Sequence, residues 1–366
     1  MHRSIIAACA VAALLLPNRA SAQDTTTQRP APPRTRPLPP IRDTVRAHEL
    51  YVSNDPADLQ GCGRACDRQA AEKRAADSTY AARSVGLMEF HKVSYKSRVD
   101  GLEIPAYVFA PLKKKGAHGL PALVWVHGFV HGDWGTDMFP FVRDAVQHGY
   151  VVITPDYRGS TGYGDAYYKL IDYGGKEVDD VRSAVDYLAT LSYVDTTRMG
   201  IMGWSHGGFI TSLVLFGDDN PFKAGAAIVP VTNLIFRLSQ HGPGYAREYS
   251  TQPGIQGLPF EKMDEYVKRS PVFHVANLKV PMLVHVATND CDVYFLEDQQ
   301  MVYTLQALKP KLAETKIYQD PPPGDEGCGH TFSRRVDLKT LERMDTPEQI
   351  DSWNRTWAFF ARNLHP

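Results

Sequence analysis

Short apolar runs alternate with amphipathic segments along this chain from about residue 88 onward. Buried strands are predicted at residues 120–128, 149–159, 198–205, 280–290 and 313–321. A helix is predicted at residues 177–191, where the apolar positions that share one face are Val178, Val181, Val185 and Leu188. Strands that alternate with helices predict an α/β fold, with a mainly parallel sheet covered by helices on both faces.

Polar and apolar residues alternate on both sides of Asp100 and Gly101 within residues 89–111, which predicts a β-hairpin at the start of this domain. The preceding residues, 44–87, are rich in helix formers, with breaks near residues 54–56 and 61–63. We therefore expect a short helical arm at residues 44–87, followed by an α/β domain at residues 88–366.

The first 43 residues differ in composition from the rest. His2 and Arg3 precede an apolar run at residues 5–16 and a small-x-small site at residues 20–22, which is typical of a cleavable signal peptide at residues 1–22. The apolar run is shorter than the roughly 20 residues that cross a bilayer, so no membrane span is expected. Residues 23–43 are Pro-rich and are expected to form a disordered linker. The sequence thus predicts a periplasmic or secreted protein.

Composition excludes some classes of partner. The 366 residues are 43% hydrophobic and 22% charged, with a net charge of −1, which is ordinary for a globular protein and gives no basic surface for nucleic acid. We expect no nucleic-acid partner, no cofactor and no metal, and the sequence leaves the oligomeric state open.

Four cysteines follow the predicted signal peptide, namely Cys62, Cys66, Cys291 and Cys328. An even number in an exported protein favours disulfides over a four-thiolate zinc site, because the second pair is widely separated in sequence. Spacing alone allows three different pairings.

The candidate chemistry centres on IMGWSHGGFI at residues 201–210, where Ser205 lies between Gly203 and Gly207. A Gly-x-Ser-x-Gly motif between a buried strand and a helix is typical of a nucleophile elbow, a sharp turn that projects the serine from the edge of a sheet. Glycine two residues before and two residues after the serine leaves room for that turn. Ser205 is therefore the predicted nucleophile.

A serine hydroxyl needs a base, and in this arrangement the acid and then the histidine follow the serine along the chain. Asp290 and Asp292 follow a buried strand, and His330 lies in a loop after the last strand. We favour Asp290 and His330, with Asp292 as the alternative acid. The oxyanion-hole donors are expected to be the backbone N–H groups of His206, directly after the serine, and Phe129, after an early strand.

Four separated segments together carry a family resemblance. The segments DYRGSTGYGDAYY (156–168), GWSHGGF (203–209), 269–293 and GCGHTF (327–332) resemble the catalytic domain of the prolyl oligopeptidase family of serine peptidases. The resemblance implies an α/β-hydrolase fold over residues 88–366, with Ser205, Asp290 and His330 as the triad. The family's Asp-x-x-Val pattern falls on Asp290. The His-Gly-Phe sequence ending at Phe129 is similar to the His-Gly-Gly-Pro loop of the acylaminoacyl-peptidase branch.

The resemblance implies hydrolysis of peptide bonds through an acyl-enzyme, while the same residues also fit a carboxylesterase acting on acyl or aryl esters. The gating β-propeller of larger members cannot be built from residues 23–87. Phe236 and Tyr245 are candidate walls of the substrate pocket, and they suit either substrate. Because each triad role has a candidate, a protein that only binds ligands is disfavoured.

The expected triad also bears on the cysteines. Cys291 follows Asp290, and Cys328 lies two residues before His330, so the approach of acid and base should bring these cysteines together. We therefore expect one disulfide between Cys291 and Cys328 and a second between Cys62 and Cys66. Residues 62–66 should be irregular, because a disulfide between residues four apart does not fit an ideal helix comfortably.

Overall fold

The structure, a computed structural model, describes residues 44–52, 61–114, 116, 118–322 and 328–366. The predicted signal peptide and linker lie outside the described residues. The strands are β1 (Glu89–Lys96), β2 (Glu103–Ala110), β3 (Leu120–Val126), β4 (Val151–Pro155), β5 (Val194–Trp204), β6 (Ala224–Ile228), β7 (Met282–Ala287), β8 (Ala313–Tyr318), β9 (Val336–Asp337) and β10 (Glu342–Arg343). The helices are α1 (Thr44–Tyr51), α2 (Cys66–Ser84), α3 (Phe139–Gln147), α4 (Asp165–Tyr168), α5 (Lys176–Thr190), α6 (His206–Phe216), α7 (Leu234–Ser250), α8 (Met263–Lys268), α9 (Phe295–Leu308) and α10 (Pro347–Leu364).

Eight of these strands form one sheet in the order β1-β2-β4-β3-β5-β6-β7-β8. β2 pairs antiparallel with both β1 and β4, whereas the remaining pairs are parallel. The predicted hairpin around Asp100 and Gly101 and the mainly parallel sheet are both confirmed. Because parallel strands end at the same edge of a sheet, the loops after β3, β5, β7 and β8 converge there. All predicted catalytic and oxyanion residues lie on these loops or directly after them.

Both faces of the sheet are buried, which accounts for the continuous apolar runs in the sequence. Along β3, Ala122 and Val124 join one hydrophobic cluster with residues of α5, α6 and α9. Leu123 and Trp125 point to the other face and join a cluster with residues of α2, α3 and α10. A strand covered on both faces shows no polar alternation. The predicted α/β fold with helices on both faces is therefore confirmed.

The predicted arm contains α1 and α2, which belong with the sheet to one unit, Asp43–Pro366. Residues 62–66 depart from a regular α-helix, as expected, because a short 3-10 helix, Gly63–Ala65, precedes α2 and Gly63 has a positive φ of 49°. The Cα atoms of Cys62 and Cys66 lie 5.1 Å apart, within the range of a disulfide. Within the described ranges, none of the helices combines the length and apolar character needed to cross a membrane.

Candidate active site

Ser205 occupies a strained turn between the end of β5 and the start of α6. Its backbone has φ 53° and ψ −119°, in a region that residues with a side chain rarely adopt. The flanking glycines allow this turn. A Cβ on Gly203 would lie 2.4 Å from the backbone of Gly207, and a Cβ on Gly207 would lie 2.3 Å from the carbonyl oxygen of Val126. The strand, turn and helix that a nucleophile elbow requires are thus all present around Ser205.

Asp290 and His330 form a buried, hydrogen-bonded pair on the loops that follow β7 and β8. The distance between Asp290 Oδ2 and His330 Nδ1 is 2.8 Å. Asp290 Oδ1 accepts hydrogen bonds from the backbone N–H groups of Asp292 and Val293, both at 2.9 Å. These bonds fix the carboxylate, which in turn favours the imidazole tautomer with its proton on Nδ1 and leaves Nε2 available to accept a proton.

Asp292 approaches the other side of the same imidazole. Its Oδ2 lies 3.3 Å from His330 Nε2. Burial would raise the pKa of Asp292, but the positive charge of Arg237 and the imidazoles of His330 and His241 hold it below its ordinary value. Within the described residues, His330 contacts Asp290 and Asp292, and Ser205 Oγ makes no hydrogen bond to it. Catalytic hydrogen bonds are often long without substrate and tighten in the complex.

Arg237 links the loop of Asp292 to the wall of the predicted pocket. It is 5% exposed, donates from Nη2 to Asp292 Oδ1 at 3.1 Å and donates from Nε to the Tyr245 hydroxyl at 2.9 Å. Tyr245 in turn donates to the Tyr173 hydroxyl at 3.0 Å. The structure therefore connects Tyr245 to the acid loop. Phe236 lies half-buried in the first turn of α7, and its place in the pocket stays a prediction.

No role for Arg237 follows from the sequence. The available signal was a single cation within LIFRL, the otherwise apolar first part of α7. A buried charged side chain needs an opposite charge, but the sequence does not identify the partly exposed Asp292 as that partner.

The two predicted oxyanion donors belong to the elbow and to a neighbouring loop. His206 is the first residue of α6, and Phe129 belongs to residues 127–135, which we call the oxyanion loop. Phe129 has φ 62°, and its carbonyl oxygen accepts a hydrogen bond from the Tyr157 hydroxyl at 2.7 Å. A Cβ on Gly128 would lie 3.6 Å from Ser205 Cβ, so the loop passes close to the serine. That the backbone N–H groups of His206 and Phe129 bind the oxyanion stays a prediction.

The side chain of His206 is unsuited to act as the base. It is 1% exposed and packs against the rings of Tyr173 and Phe209, with centroids 4.5 and 5.3 Å away. Burial lowers the pKa of His206 well below its ordinary value, which keeps the imidazole neutral. Glu177 Oε1 lies 3.7 Å from His206 Nε2, and burial, with the charge of Asp172, raises the pKa of Glu177 to about 8.

Both predicted cysteine pairs lie at disulfide distance. The Cα atoms of Cys291 and Cys328 are 5.9 Å apart, so this pair joins the loops of the acid and the base. In the part of the chain that the structure describes, one cluster has the arrangement of metal ligands, formed by Cys62, Cys66 and Asp165. Its two sulfur atoms are paired with each other, and a disulfide offers no thiolate to a metal.

Comparison with known proteins places this chain within a family. The sequence profile of the prolyl oligopeptidase family matches residues 138–336, which is more than half of the chain. The uncharacterised peptidase YuxL of Bacillus subtilis is 30% identical over 257 residues, which cover 69% of this chain and 37% of YuxL. Human acylamino-acid-releasing enzyme is 28% identical over 232 residues, covering 60% of this chain and 30% of the enzyme. The chain thus spans about a third of the length of these curated relatives.

Solved structures share the fold. Acylaminoacyl peptidase of Pyrococcus horikoshii superposes with a TM-score of 0.62 and 22% identity, over 78% of this chain and 43% of that protein. A puromycin-hydrolysing peptidase of Mycobacterium tuberculosis gives a TM-score of 0.61 and 23% identity, over 76% of this chain and 40% of that protein. At this level of identity the likeness supports the fold and leaves the substrate open.

Proposed function

Because this chain belongs to the prolyl oligopeptidase family, we propose that it is a serine peptidase that hydrolyses peptide bonds with Ser205, His330 and Asp290 as its catalytic triad. The observation that carries the proposal is the 2.8 Å contact between Asp290 and His330, at the same sheet edge as the strained Ser205. Asp292 faces the nitrogen of His330 that must receive the proton, so we assign the orienting role to Asp290.

The reaction follows from this assignment. Ser205 Oγ attacks the acyl carbon while His330 Nε2 takes the hydroxyl proton, and the backbone N–H groups of His206 and Phe129 stabilise the oxyanion. Collapse of the tetrahedral intermediate breaks the C–N bond, and the leaving amine takes the proton from His330. Water then attacks the acyl-enzyme with His330 again as base, which releases the acid and restores Ser205.

The names of the relatives suggest the first substrates to try. Several are acylamino-acid-releasing enzymes, so short peptides with a blocked amino terminus are the natural starting point for this chain. The alternative, hydrolysis of acyl or aryl esters, would use the same triad and oxyanion hole.

Paired kinetics on an N-acyl peptide anilide and a short-chain aryl ester test the proposed activity. We expect the anilide to be cleaved with a kcat/KM of about 10⁴ M⁻¹s⁻¹ or above, an ordinary value for an enzyme acting on its substrate class. A fluorophosphonate should label the protein and stop both reactions. Turnover of the ester with no measurable cleavage of peptide anilides would overturn the peptidase proposal in favour of a carboxylesterase.

We also propose that the protein is exported and that residues 1–22 are removed. Two cysteine pairs at disulfide distance support an oxidising compartment. N-terminal sequencing of the protein from its native cells should give Gln23, and the denatured, unreduced protein should contain no reactive thiol. A chain recovered from the cytoplasm with Met1 in place and five reactive thiols, Cys9 included, would contradict export.

A further inference from the structure

Helix α2 of the arm carries a lysine on its buried face. The sequence of α2 is largely polar, and its buried residues are Lys73, Ala76, Tyr80 and Ser84. These positions recur every three or four residues and so share one side of the helix. Lysine is almost never fully buried without a partner, yet Lys73 is only 4% exposed.

One partner of Lys73, Trp134, belongs to the oxyanion loop. The Lys73 Nζ is 2.5 Å from Asp156 Oδ2, 3.5 Å from the carbonyl oxygen of Trp134 and 4.3 Å from the centre of the Tyr107 ring. Asp156, just after β4, is 1% exposed. A buried carboxylate and a buried ammonium at this distance hold each other in one geometry, because separating them would leave two uncompensated charges.

The same ion pair holds one end of the oxyanion loop. Asp156 Oδ1 accepts a hydrogen bond from the backbone N–H of Trp134 at 2.9 Å, while Lys73 lies against the carbonyl oxygen of that residue. Helix α2 makes a second contact one residue further, where the Tyr80 hydroxyl donates to the carbonyl oxygen of Gly135 at 2.7 Å. Two side chains of the arm thus contact two consecutive peptide groups of the loop.

The other end of the oxyanion loop carries Phe129, the proposed donor. The loop is held between these ends by a hydrogen bond from the Thr161 backbone N–H to the carbonyl oxygen of Gly132, at 2.9 Å. The inference requires that a shift at Trp134 and Gly135 reaches Phe129 along this loop, although the Tyr157 hydroxyl also holds the carbonyl oxygen of Phe129. Oxyanion stabilisation is sensitive to such shifts, because donors must lie about 3 Å from the developing charge.

We propose that α2 is a structural support of the oxyanion hole and that Lys73 is its main positioning residue. Lys73 touches no substrate. It acts through Asp156 and Trp134 to set the place of the Phe129 N–H. The inference rests on the proposed function, because it assigns the arm a part in stabilising the oxyanion formed on Ser205.

Lys73→Met tests the inference, since methionine keeps most of the volume and removes the charge. We expect kcat for an N-acyl peptide anilide to fall about 10- to 100-fold, as for a displaced or lost oxyanion donor, with little change in KM. Affinity for a peptidyl trifluoromethyl ketone, which adds to serine to form a tetrahedral oxyanion, should fall by the same factor as kcat/KM. Affinity for the acyl-amino acid product, which forms no oxyanion, should not change.

Arg74→Met is the matched control, because it removes a cation from the exposed face of the same helix. It should leave kcat and both affinities at their wild-type values. Tyr80→Phe is the second test, and it decides the question if Lys73→Met fails to fold. It keeps the aromatic packing but deletes the bond to Gly135, so we expect the same pattern with a smaller loss of about 3- to 10-fold.

Circular dichroism and thermal unfolding establish that each variant is folded. The inference is overturned if folded Lys73→Met keeps both kcat and trifluoromethyl ketone affinity within twofold of wild type. If Lys73→Met does not fold, the same result for Tyr80→Phe overturns it. A loss confined to KM, or a lower melting temperature with unchanged kcat, would also overturn it. Failure of the proposed function is distinguishable, because the wild-type enzyme would then show no peptidase activity.

Discussion

Ser205→Ala, His330→Ala and the double variant are expected to lose the same large factor in kcat, on the order of 10⁶. The reason is that nucleophile and base act as one unit. Without His330 the Ser205 hydroxyl keeps its proton and is a weak nucleophile, and without Ser205 the imidazole has no nucleophile to activate. Removing the second residue therefore costs almost nothing more. The measurement is kcat for a peptide anilide, with fluorophosphonate labelling as an independent readout.

Matched controls for these variants are Ser78→Ala and His91→Ala, which alter exposed side chains on α2 and β1. Both should keep wild-type kcat. Strictly additive losses in the double variant would mean that the two residues act separately. Wild-type labelling of Ser205→Ala would show that another residue is the nucleophile. We do not expect it, because Ser205 is the only serine with a positive φ within the described residues.

The strands that could be predicted from the sequence are those built from large apolar or β-branched residues. Strand β3, with the sequence LPALVWV, is buried along its whole length, and such a continuous apolar run predicts a strand covered on both faces. Strand β6, with the sequence AGAAI, is equally buried, but alanine and glycine have little preference for strands, and its pattern does not predict one. A Cβ on Gly225 would lie 2.6 Å from Leu215 Cδ1, so close packing of α6 selects small residues there.

The parts of the site that could be predicted are encoded by local motifs. The elbow follows from Gly203, Ser205 and Gly207, which are close in sequence. The Asp-x-x-Val pattern corresponds to a local turn in which Asp290 Oδ1 accepts the backbone N–H groups of the second and third residues after it. The pairs of Lys73 with Asp156 and of Arg237 with Asp292 join distant segments. Such contacts have no periodicity, and only the folded sheet determines which charges meet.

Asp290→Asn is expected to lower kcat about 10⁴-fold, whereas Asp292→Asn should change it by less than about 10-fold. An asparagine at position 290 can keep the two backbone hydrogen bonds through its carbonyl oxygen. Its amide nitrogen would then face His330 Nδ1, which favours the tautomer with the proton on Nε2. That tautomer cannot accept the proton of Ser205.

The same substitution at position 292 should act differently, although both carboxylates contact the imidazole. Asparagine there can still accept the hydrogen bond from Arg237, and the Nδ1 contact with Asp290 is untouched. The two variants thus form a matched pair that differs in which ring nitrogen is affected. The measurement is kcat for one peptide anilide at one pH, with thermal unfolding as the check on folding. A larger loss from Asp292→Asn than from Asp290→Asn would reverse the assignment, because the carboxylate that controls the imidazole tautomer must be the one whose loss removes most of the activity.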